Sequence, residues 1–249
     1  MLFRSVRSRE GLPEKTEILF GERPSEGVEV HENGVLYQVD VMNGHKTGFY
    51  IDQRDNRQLV AEMAKERRVL NMFCYTGGFS LAALKGGAKS VMSVDSSGDA
   101  LKIARQQMVL NKFSAERTSW LDADAFTTLS NLRNAKEKFD LIVLDPPKFA
   151  PSAQHLDRAI KAYKEINRAA LQLLSPGGLL FTFSCSGAVS LERFEQMLVN
   201  SVSEALAHMQ DSQANFRIMR RLAAGLDHPV LASFAEGEYL KGLLVERVE

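Results

Sequence analysis

A thiol and a carboxylate stand at matching places in the sequence, each directly after a run of apolar, strand-like residues. Cys185 follows the run 179–184, and Asp145 follows the run 139–144. A thiolate is a nucleophile, and a carboxylate beside it can accept or hold a proton. The alternative is a packed, inert thiol, because free cysteine is among the most buried residue types. The position of Cys185 after a strand and between two serines favours the catalytic interpretation.

The motif that begins at Asp145 indicates a planar substrate. Pro146 and Pro147 prevent helix formation and fix the direction of the neighbouring carbonyl groups, and Lys148 follows them. Several nucleic-acid methyltransferases use motifs of this form to hold the edge of a base. We therefore expect Asp145 to act in catalysis, and we expect Pro146, Pro147 and Lys148 to contact the base.

The thiol indicates which atom of a base would react. An exocyclic nitrogen has a lone pair and needs no covalent help, whereas carbon 5 of a pyrimidine is a poor nucleophile. A thiolate that adds to carbon 6 makes carbon 5 reactive towards a methyl sulfonium. A carboxyl group near ring N3 supports the charge that develops there or donates a proton to it. Cys185 thus favours carbon methylation over nitrogen methylation.

Three earlier strand ends offer the groups that an adenosine-containing cofactor needs. A glycine pair lies between a strand and a helix, an acid follows about twenty residues later, and another acid follows the third strand. The predicted contacts are Phe73, Tyr75, Gly77, Asp95, Ser96, Asp124, Ala125 and Asp145. Because no full G-x-G-x-x-G and no G-K-[ST] occurs here, S-adenosylmethionine fits better than a dinucleotide or a nucleoside triphosphate. Taken singly, these residues could equally be turn and cap residues.

The rest of the chain predicts the elements that position these groups. From about residue 55, strands alternate with helices, which is typical of a parallel sheet with helices on both faces. Predicted strands cover 68–73, 90–94, 117–121, 139–144, 179–184, 216–222 and 240–248, and predicted helices cover 78–85, 97–112, 125–134, 158–174 and 191–209. Residues 1–54 form a separate β-rich region, with a hairpin at Asn33-Gly34 and a strand over 46–54 that leads into a helix near Asp55.

The bulk composition excludes several classes of protein. The net charge is zero, so any nucleic acid must be bound by a local patch. Because the sequence has no apolar run of 18 or more residues and no apolar stretch near Met1, we expect neither a membrane span nor a secretory signal. Its two cysteines and five histidines predict no metal site, and the low cysteine count fits a reducing cytoplasm.

Six segments together resemble one known family. They are RSREGL at 7–12, KTGFYIDQR at 46–54, FCYTGGFS at 73–80, DPPKF at 145–149, SCS at 184–186 and DHPV at 227–230. From about Arg7 to its C-terminus, the chain resembles the bacterial large-subunit ribosomal RNA cytosine-5 methyltransferases that usually carry an N-terminal PUA domain. A related family that methylates guanine has asparagines where Ser184-Cys185-Ser186 stands, so the thiol favours cytosine.

The resemblance implies a fold, a donor, a substrate and a nucleophile. The fold is a Rossmann-like, seven-stranded class I methyltransferase sheet, in which the fourth and fifth parallel strands are neighbours and so place Asp145 beside Cys185. The donor is S-adenosylmethionine, which Gln53 approaches from the segment before the first helix. The substrate is cytosine in large-subunit ribosomal RNA, and Cys185 is the nucleophile.

The sequence lacks the PUA domain ahead of Arg7, so we expect either a short natural variant or a fragment. RNA contacts would then rest on the β-rich region and on rim residues, namely Arg4, Arg7, Arg54, Arg57 and Lys148. His228 could accept a proton, although a turn residue is the simpler interpretation. Two alternatives remain open: a base N-methyltransferase without covalent catalysis, and a non-catalytic RNA-binding assembly protein. The oligomeric state and the modified nucleotide are not predicted.

Overall fold

The computed structural model describes residues 11, 18, 20–22, 27–42, 44, 48–149, 153–209, 211, 213–234 and 237–248. The chain divides into two units between Ile51 and Asp52. Arg4, Arg7 and the segment 45–47 lie outside the described residues.

The first unit contains the predicted hairpin. Strands β1 (Val28–Glu32) and β2 (Val35–Val39) pair antiparallel, with Glu32 opposite Val35. Two residues remain for the turn, Asn33 and Gly34, as expected for a tight hairpin. Val35, Tyr37 and Val39 are buried while Gln38 is exposed, so β2 has the two-residue period of a half-buried strand.

The predicted strand over 46–54 is wrong within the described residues. Gly48 has a φ of +90°, and a Cβ there would lie 2.6 Å from the carbonyl oxygen of Asp40. This left-handed backbone is incompatible with a regular strand. The chain instead forms a 3₁₀ turn over Ile51–Gln53 and enters helix α1 (Arg54–Met63), which begins one residue before the predicted start.

The second unit is a seven-stranded sheet with helices between its strands. Its strands are β3 (Arg68–Met72), β4 (Ser90–Asp95), β5 (Thr118–Asp122), β6 (Phe139–Leu144), β7 (Leu174–Ser184), β8 (Asn215–Ala223) and β9 (Lys241–Val248). The remaining helices are α2 (Gly78–Lys85), α3 (Gly98–Leu110), α4 (Ala125–Asn134), α5 (Leu156–Leu173) and α6 (Leu191–Leu206).

The strand order is β5-β4-β3-β6-β7-β9-β8. All pairs from β5 to β7 are parallel, and β9 runs antiparallel to both β7 and β8. The predicted α/β fold is therefore confirmed. Strand β7 begins at Leu174, earlier than predicted, because Leu174 already pairs with Phe139 of β6.

Burial explains why the central strands carry long apolar runs. Residues 141–144 of β6 are all fully buried, as expected for a parallel strand covered on both faces. In β3, Leu70 and Met72 belong to the main core cluster, together with α5 and α6 residues. The intervening Asn71 points to the other face, where its Nδ2 donates to Ser80 Oγ of α2 at 2.8 Å.

Two absences hold for the described part of the chain. None of its helices has the length and apolar character that would let it cross a membrane. Nor does it contain a group of three or more His, Cys, Asp or Glu side chains that could hold a metal ion.

Candidate active site

The predicted catalytic pair stands at the ends of two neighbouring parallel strands. In the β6–β7 register, Leu144 lies opposite Thr182, so Asp145 comes one residue after this pair and Cys185 comes three residues after it. Both side chains are partly buried at the carboxyl edge of the sheet, where folds of this kind bind ligands.

The hydroxyl group of Tyr163 interacts electrostatically with both members of the pair. Burial raises the pKa of Tyr163, on α5, and the nearby Cys185 and Asp145 raise it further. The phenol therefore stays protonated and available as a hydrogen-bond donor. Tyr163 also accepts a hydrogen bond from Ser184 Oγ at 3.0 Å, which ties α5 to the strand end that carries the thiol.

The turn that carries Cys185 is fixed by buried polar contacts. Ser184 and Ser186 are both fully buried, and the Ser186 backbone N donates to Ser184 Oγ at 3.3 Å. Lys241 Nζ donates to the carbonyl oxygens of Ser186 and Val189, at 2.7 and 2.6 Å. Because its neighbours are buried and bonded, the partly exposed Cys185 is presented from a preorganised turn.

The motif after β6 is anchored by its last residue. The Phe149 ring packs 4.8 Å from Tyr163 and 6.2 Å from both Phe73 and Phe126, measured between ring centroids. Pro146 is buried, whereas Pro147 and Lys148 are exposed, so the motif has an anchored end and an open rim.

The loop between β3 and α2 has an unusual backbone. Phe73, Tyr75 and Gly77 have positive φ angles of 58°, 49° and 85°. Non-glycine residues in this region cost of order 1–3 kcal/mol each and persist where the surroundings hold them, often at ligand sites. Here the Cys74 N donates to Val94 O at 3.0 Å and the Gly77 N donates to Cys74 O at 2.8 Å.

Asp95 joins this loop to the next strand end. Its Oδ2 accepts from the Tyr75 backbone N at 2.8 Å, and its Oδ1 accepts from the Ser97 backbone N at 2.9 Å. A carboxylate oxygen has a second lone pair, so the group can also accept from a ribose hydroxyl. Ser96, which lies between Asp95 and Ser97 in the sequence, is exposed.

Asp124 is a helix cap. Its Oδ1 accepts from the backbone N and the hydroxyl of Thr127, at 2.8 and 2.9 Å, and so it starts α4. Ala125 is buried behind it. The carboxylate is exposed, and its contact with an adenine amine stays a prediction.

Comparison with known proteins identifies the family to which this site belongs. The model of the S-adenosylmethionine-dependent methyltransferase family matches residues 6–222, which is most of the chain. The chain belongs to this methyltransferase family. A ribosomal RNA large subunit methyltransferase I from Aeromonas hydrophila is 49% identical over 242 residues, covering 97% of this chain and 59% of that protein. The chain spans about three fifths of the length of the curated relatives it matches.

Solved structures agree with the family. Two chains align with a TM-score of 0.80 and 25% identity over 92% of this chain. One, from Streptococcus mutans, is described as a SAM-dependent methyltransferase, and 57% of it is covered. The other is described as a methyltransferase complexed with SAH, and 58% of it is covered.

The residues at this sheet edge fit the methyl donor of the family. S-adenosylmethionine has a ribose and no phosphate, and the described loop offers the Asp95 carboxylate with no phosphate-binding motif. A Cβ at Gly77 would lie 3.1 Å from Ala104 Cβ and 3.3 Å from the Trp120 ring. The glycine thus permits two things: the left-handed backbone at this position, and the close packing of the loop against a helix and a strand.

The residues around the start of α1 differ in their exposure. Gln53 is 2% exposed, and its Oε1 accepts from Asn56 Nδ2 at 2.6 Å. Arg54 donates to Asp227 Oδ2 at 2.9 Å and to Asp55 Oδ1 at 3.0 Å. Arg57 is only 3% exposed, so the expectation that it lies on the rim and contacts RNA is wrong.

His228 belongs to a turn. Its backbone N donates to Gly225 O at 2.9 Å, and its ring Nδ1 lies 3.2 Å from Asp227 Oδ1. That contact with His228 lowers the pKa of Asp227, and the nearby Arg54 adds to the effect. The simpler interpretation of His228, as a turn residue, is the one that the geometry favours.

The sequence did not indicate three polar groups near the thiol. They are Tyr163, Tyr239 and Lys241, each of which interacts electrostatically with Cys185. The Tyr239 hydroxyl donates to Asp52 Oδ2 at 2.7 Å, while Asp52 Oδ1 is buried with no hydrogen-bond partner among the described residues. One local signal could have indicated Lys241, because it is a charged residue at the start of a strand that continues with an apolar run.

Proposed function

We propose that this chain is the catalytic part of an RNA cytosine-5 methyltransferase that acts on large-subunit ribosomal RNA. The observation that carries the proposal is the placement of Cys185 directly after β7 and of Asp145 directly after β6, two neighbouring strands that end at the same sheet edge as the cofactor loop. The name of the Aeromonas hydrophila relative supports the RNA substrate. The thiol supports carbon as the atom that is methylated.

In this proposal the cofactor is held by the edge formed by β3, β4, β5 and β6. S-adenosylmethionine supplies an electrophilic methyl group when it is bound. The chain's own groups would hold it at Gln53, Phe73, Tyr75, Gly77, Asp95, Ser96, Asp124, Ala125 and Asp145. Of these, Asp95 is the best supported, because it is fixed by two backbone donors.

Two side chains at this same edge, Cys185 and Asp145, would perform the covalent steps. The Cys185 thiolate would add to carbon 6 of the cytosine, forming a sulfur–carbon bond, while the Asp145 carboxyl group donates a proton to ring N3, where negative charge would otherwise develop. Carbon 5 would then take the methyl group as the bond from that group to the sulfonium sulfur breaks and leaves a neutral thioether, and Asp145 would take its proton back from ring N3. Loss of the carbon 5 proton returns the electron pair to the carbon 5–carbon 6 double bond and expels the thiolate. The net change is one methyl group gained by the base and one proton released.

The proposal assigns RNA contacts to Pro146, Pro147, Lys148 and Arg54. Pro147 and Lys148 are exposed, and Lys148 is a cation at the open rim of the motif, which suits a phosphate. Residues 55–249 would act as the methyltransferase domain, with residues 1–54 as an adjoining β-rich region and a cytoplasmic location for the whole.

A trapping experiment tests this function. The protein is incubated with S-adenosylmethionine and large-subunit RNA, and the nucleosides are then analysed by mass spectrometry. We expect 5-methylcytidine from the wild type, and a loss of about a thousandfold or more in C185A. RNA containing 5-fluorocytidine should give a covalent complex with the wild type, since fluorine cannot leave as a proton.

The matched control is C74A, because burial, together with the nearby Asp95, raises the pKa of the Cys74 thiol and keeps it unreactive. C74A should still form the covalent complex. Unchanged methyl transfer by C185A, with the methyl group on an exocyclic nitrogen, would replace the proposal with the N-methyltransferase alternative. No binding of S-adenosylmethionine by calorimetry would favour the non-catalytic one.

A further inference from the structure

A buried ammonium group lies behind the turn that carries Cys185. Lys241 is the first residue of β9 and stands opposite Ser184 of β7 in the antiparallel register. It is 7% exposed, and its Nζ donates to the carbonyl oxygens of Ser186 and Val189. These two carbonyls belong to the turn that follows the thiol, so the charge is fixed against that turn from within the protein.

The burial of this charge calls for a reason. Desolvation is unfavourable for an ammonium group, and burial lowers the pKa of Lys241. Its two described acceptors are neutral carbonyls, which orient the group without neutralising it. A neutral apolar side chain would fill the same space without the desolvation cost, so the charge itself is the feature to explain.

The Lys241 ammonium group interacts electrostatically with Cys185. Among the groups that oppose the effect of burial, Cys185 contributes most, ahead of Glu238. A Coulomb interaction acts equally on both partners, so the cation that Cys185 stabilises also stabilises the thiolate of Cys185.

The other ionisable groups near the thiol do not supply this effect. Tyr163 and Tyr239 both couple to Cys185, and burial raises the pKa of each, so both are neutral at pH 7. Asp145 carries no positive charge, and Glu238 acts on Lys241 from an exposed position. Lys148 is a cation, but it is exposed to solvent and therefore screened.

We propose that Lys241 is a positioning residue that fixes the turn of Cys185 and holds its sulfur as a thiolate before RNA binds. The proposal rests on the proposed function, in which Cys185 is the nucleophile. It describes the chemistry of the thiol in the RNA-free protein. It can therefore be tested without methyl transfer.

The test is the pH profile of Cys185 alkylation by iodoacetamide in the full chain. The thiolate displaces iodide, forming a sulfur–carbon bond, and the rate follows the thiolate fraction. The modified peptide is quantified by mass spectrometry, with C185A as the blank and buried Cys74 as the internal reference. In K241M we expect the midpoint of the profile to rise by about one pH unit, with about tenfold slower alkylation at neutral pH. K241R should keep the wild-type midpoint.

The profile separates a charge effect from a structural one. Disorder of the turn would change the plateau rate at high pH, whereas loss of the charge moves the midpoint. K241Q, a neutral hydrogen-bond donor, should shift the midpoint as K241M does. A midpoint that is unchanged in K241M and K241Q would overturn the proposal, even if the plateau changes. Methyl transfer by C185A would refute the function while leaving this measurement interpretable.

Discussion

Replacing Asp95 with alanine tests whether the cofactor loop depends on one carboxylate. Asp95 accepts hydrogen bonds from the backbone N of Tyr75 and of Ser97. A hydrogen bond to a charged group contributes about 1.5–3 kcal/mol, and the lower figure suits a partly buried site. Two lost bonds therefore predict about 3 kcal/mol of lost stability in D95A.

The larger effect should be on cofactor binding. Without Asp95, the left-handed backbone at Tyr75 loses the acceptor that holds it, and the ribose loses its predicted partner. We expect the affinity for S-adenosylmethionine to fall by at least about thirtyfold, or roughly 2 kcal/mol. Isothermal titration calorimetry measures the binding, and urea denaturation measures the free energy of unfolding.

The matched control is D140A, at the amino end of β6. Asp140 Oδ2 accepts from the Arg68 backbone N at 2.9 Å, which is the same type of contact at the opposite edge of the sheet. D140A should lose about 1.5 kcal/mol of stability and bind the cofactor normally. Wild-type affinity in D95A would refute the reasoning about the loop, and equal weakening in D140A would assign the effect to general destabilisation.

Three further predictions concern the packing and charge of the site. F149A should lose about 3 kcal/mol of stability and release the 145–149 motif, seen as a lower melting temperature together with slower methyl transfer; an unchanged melting temperature contradicts this. G77A should be destabilised by about 2 kcal/mol or more by its left-handed backbone and the contact with Ala104, and wild-type urea denaturation would refute it. Since the folded-state pKa of Lys241 is lowered, the unfolded state binds more protons, so its contribution to stability should rise with pH up to about its unfolded pKa near 10.5. The free energy of unfolding of the wild type should therefore rise relative to that of K241M over that range, and a difference independent of pH would exclude the effect.

The sheet could be predicted because its signals are local. Apolar runs such as 139–144, separated by helical segments, indicate a parallel sheet, and the family resemblance supplies the order of its strands. That order alone brings Asp145 and Cys185 to adjacent strand ends. The helix caps also follow local rules, since Asp124 and Ser97 precede their helices as capping residues usually do.

The failures have one physical cause, which is that conformation and burial depend on partners far along the chain. Nothing local distinguishes the left-handed Phe73 and Tyr75 from strand residues. Arginine is usually an exposed residue type, and Arg57 is nevertheless buried. The strand over 46–54 failed because the positive φ of Gly48 is set by its close approach to Asp40, which is a tertiary contact.

The two sides of the site use side chains of opposite charge to fix a backbone segment by hydrogen bonds. On the proposed cofactor side, the Asp95 carboxylate accepts hydrogen bonds from two backbone N–H groups and so fixes the loop with the left-handed backbone. On the substrate side, the Lys241 ammonium gathers backbone carbonyls and so fixes the turn of the thiol. Each charge also suits the species expected beside it, because a sulfonium donor is cationic and a thiolate is anionic. A net charge of zero is thus compatible with a local separation of charge along one sheet edge. In the proposed function, this separation would favour the sulfonium and the thiolate as the reacting species.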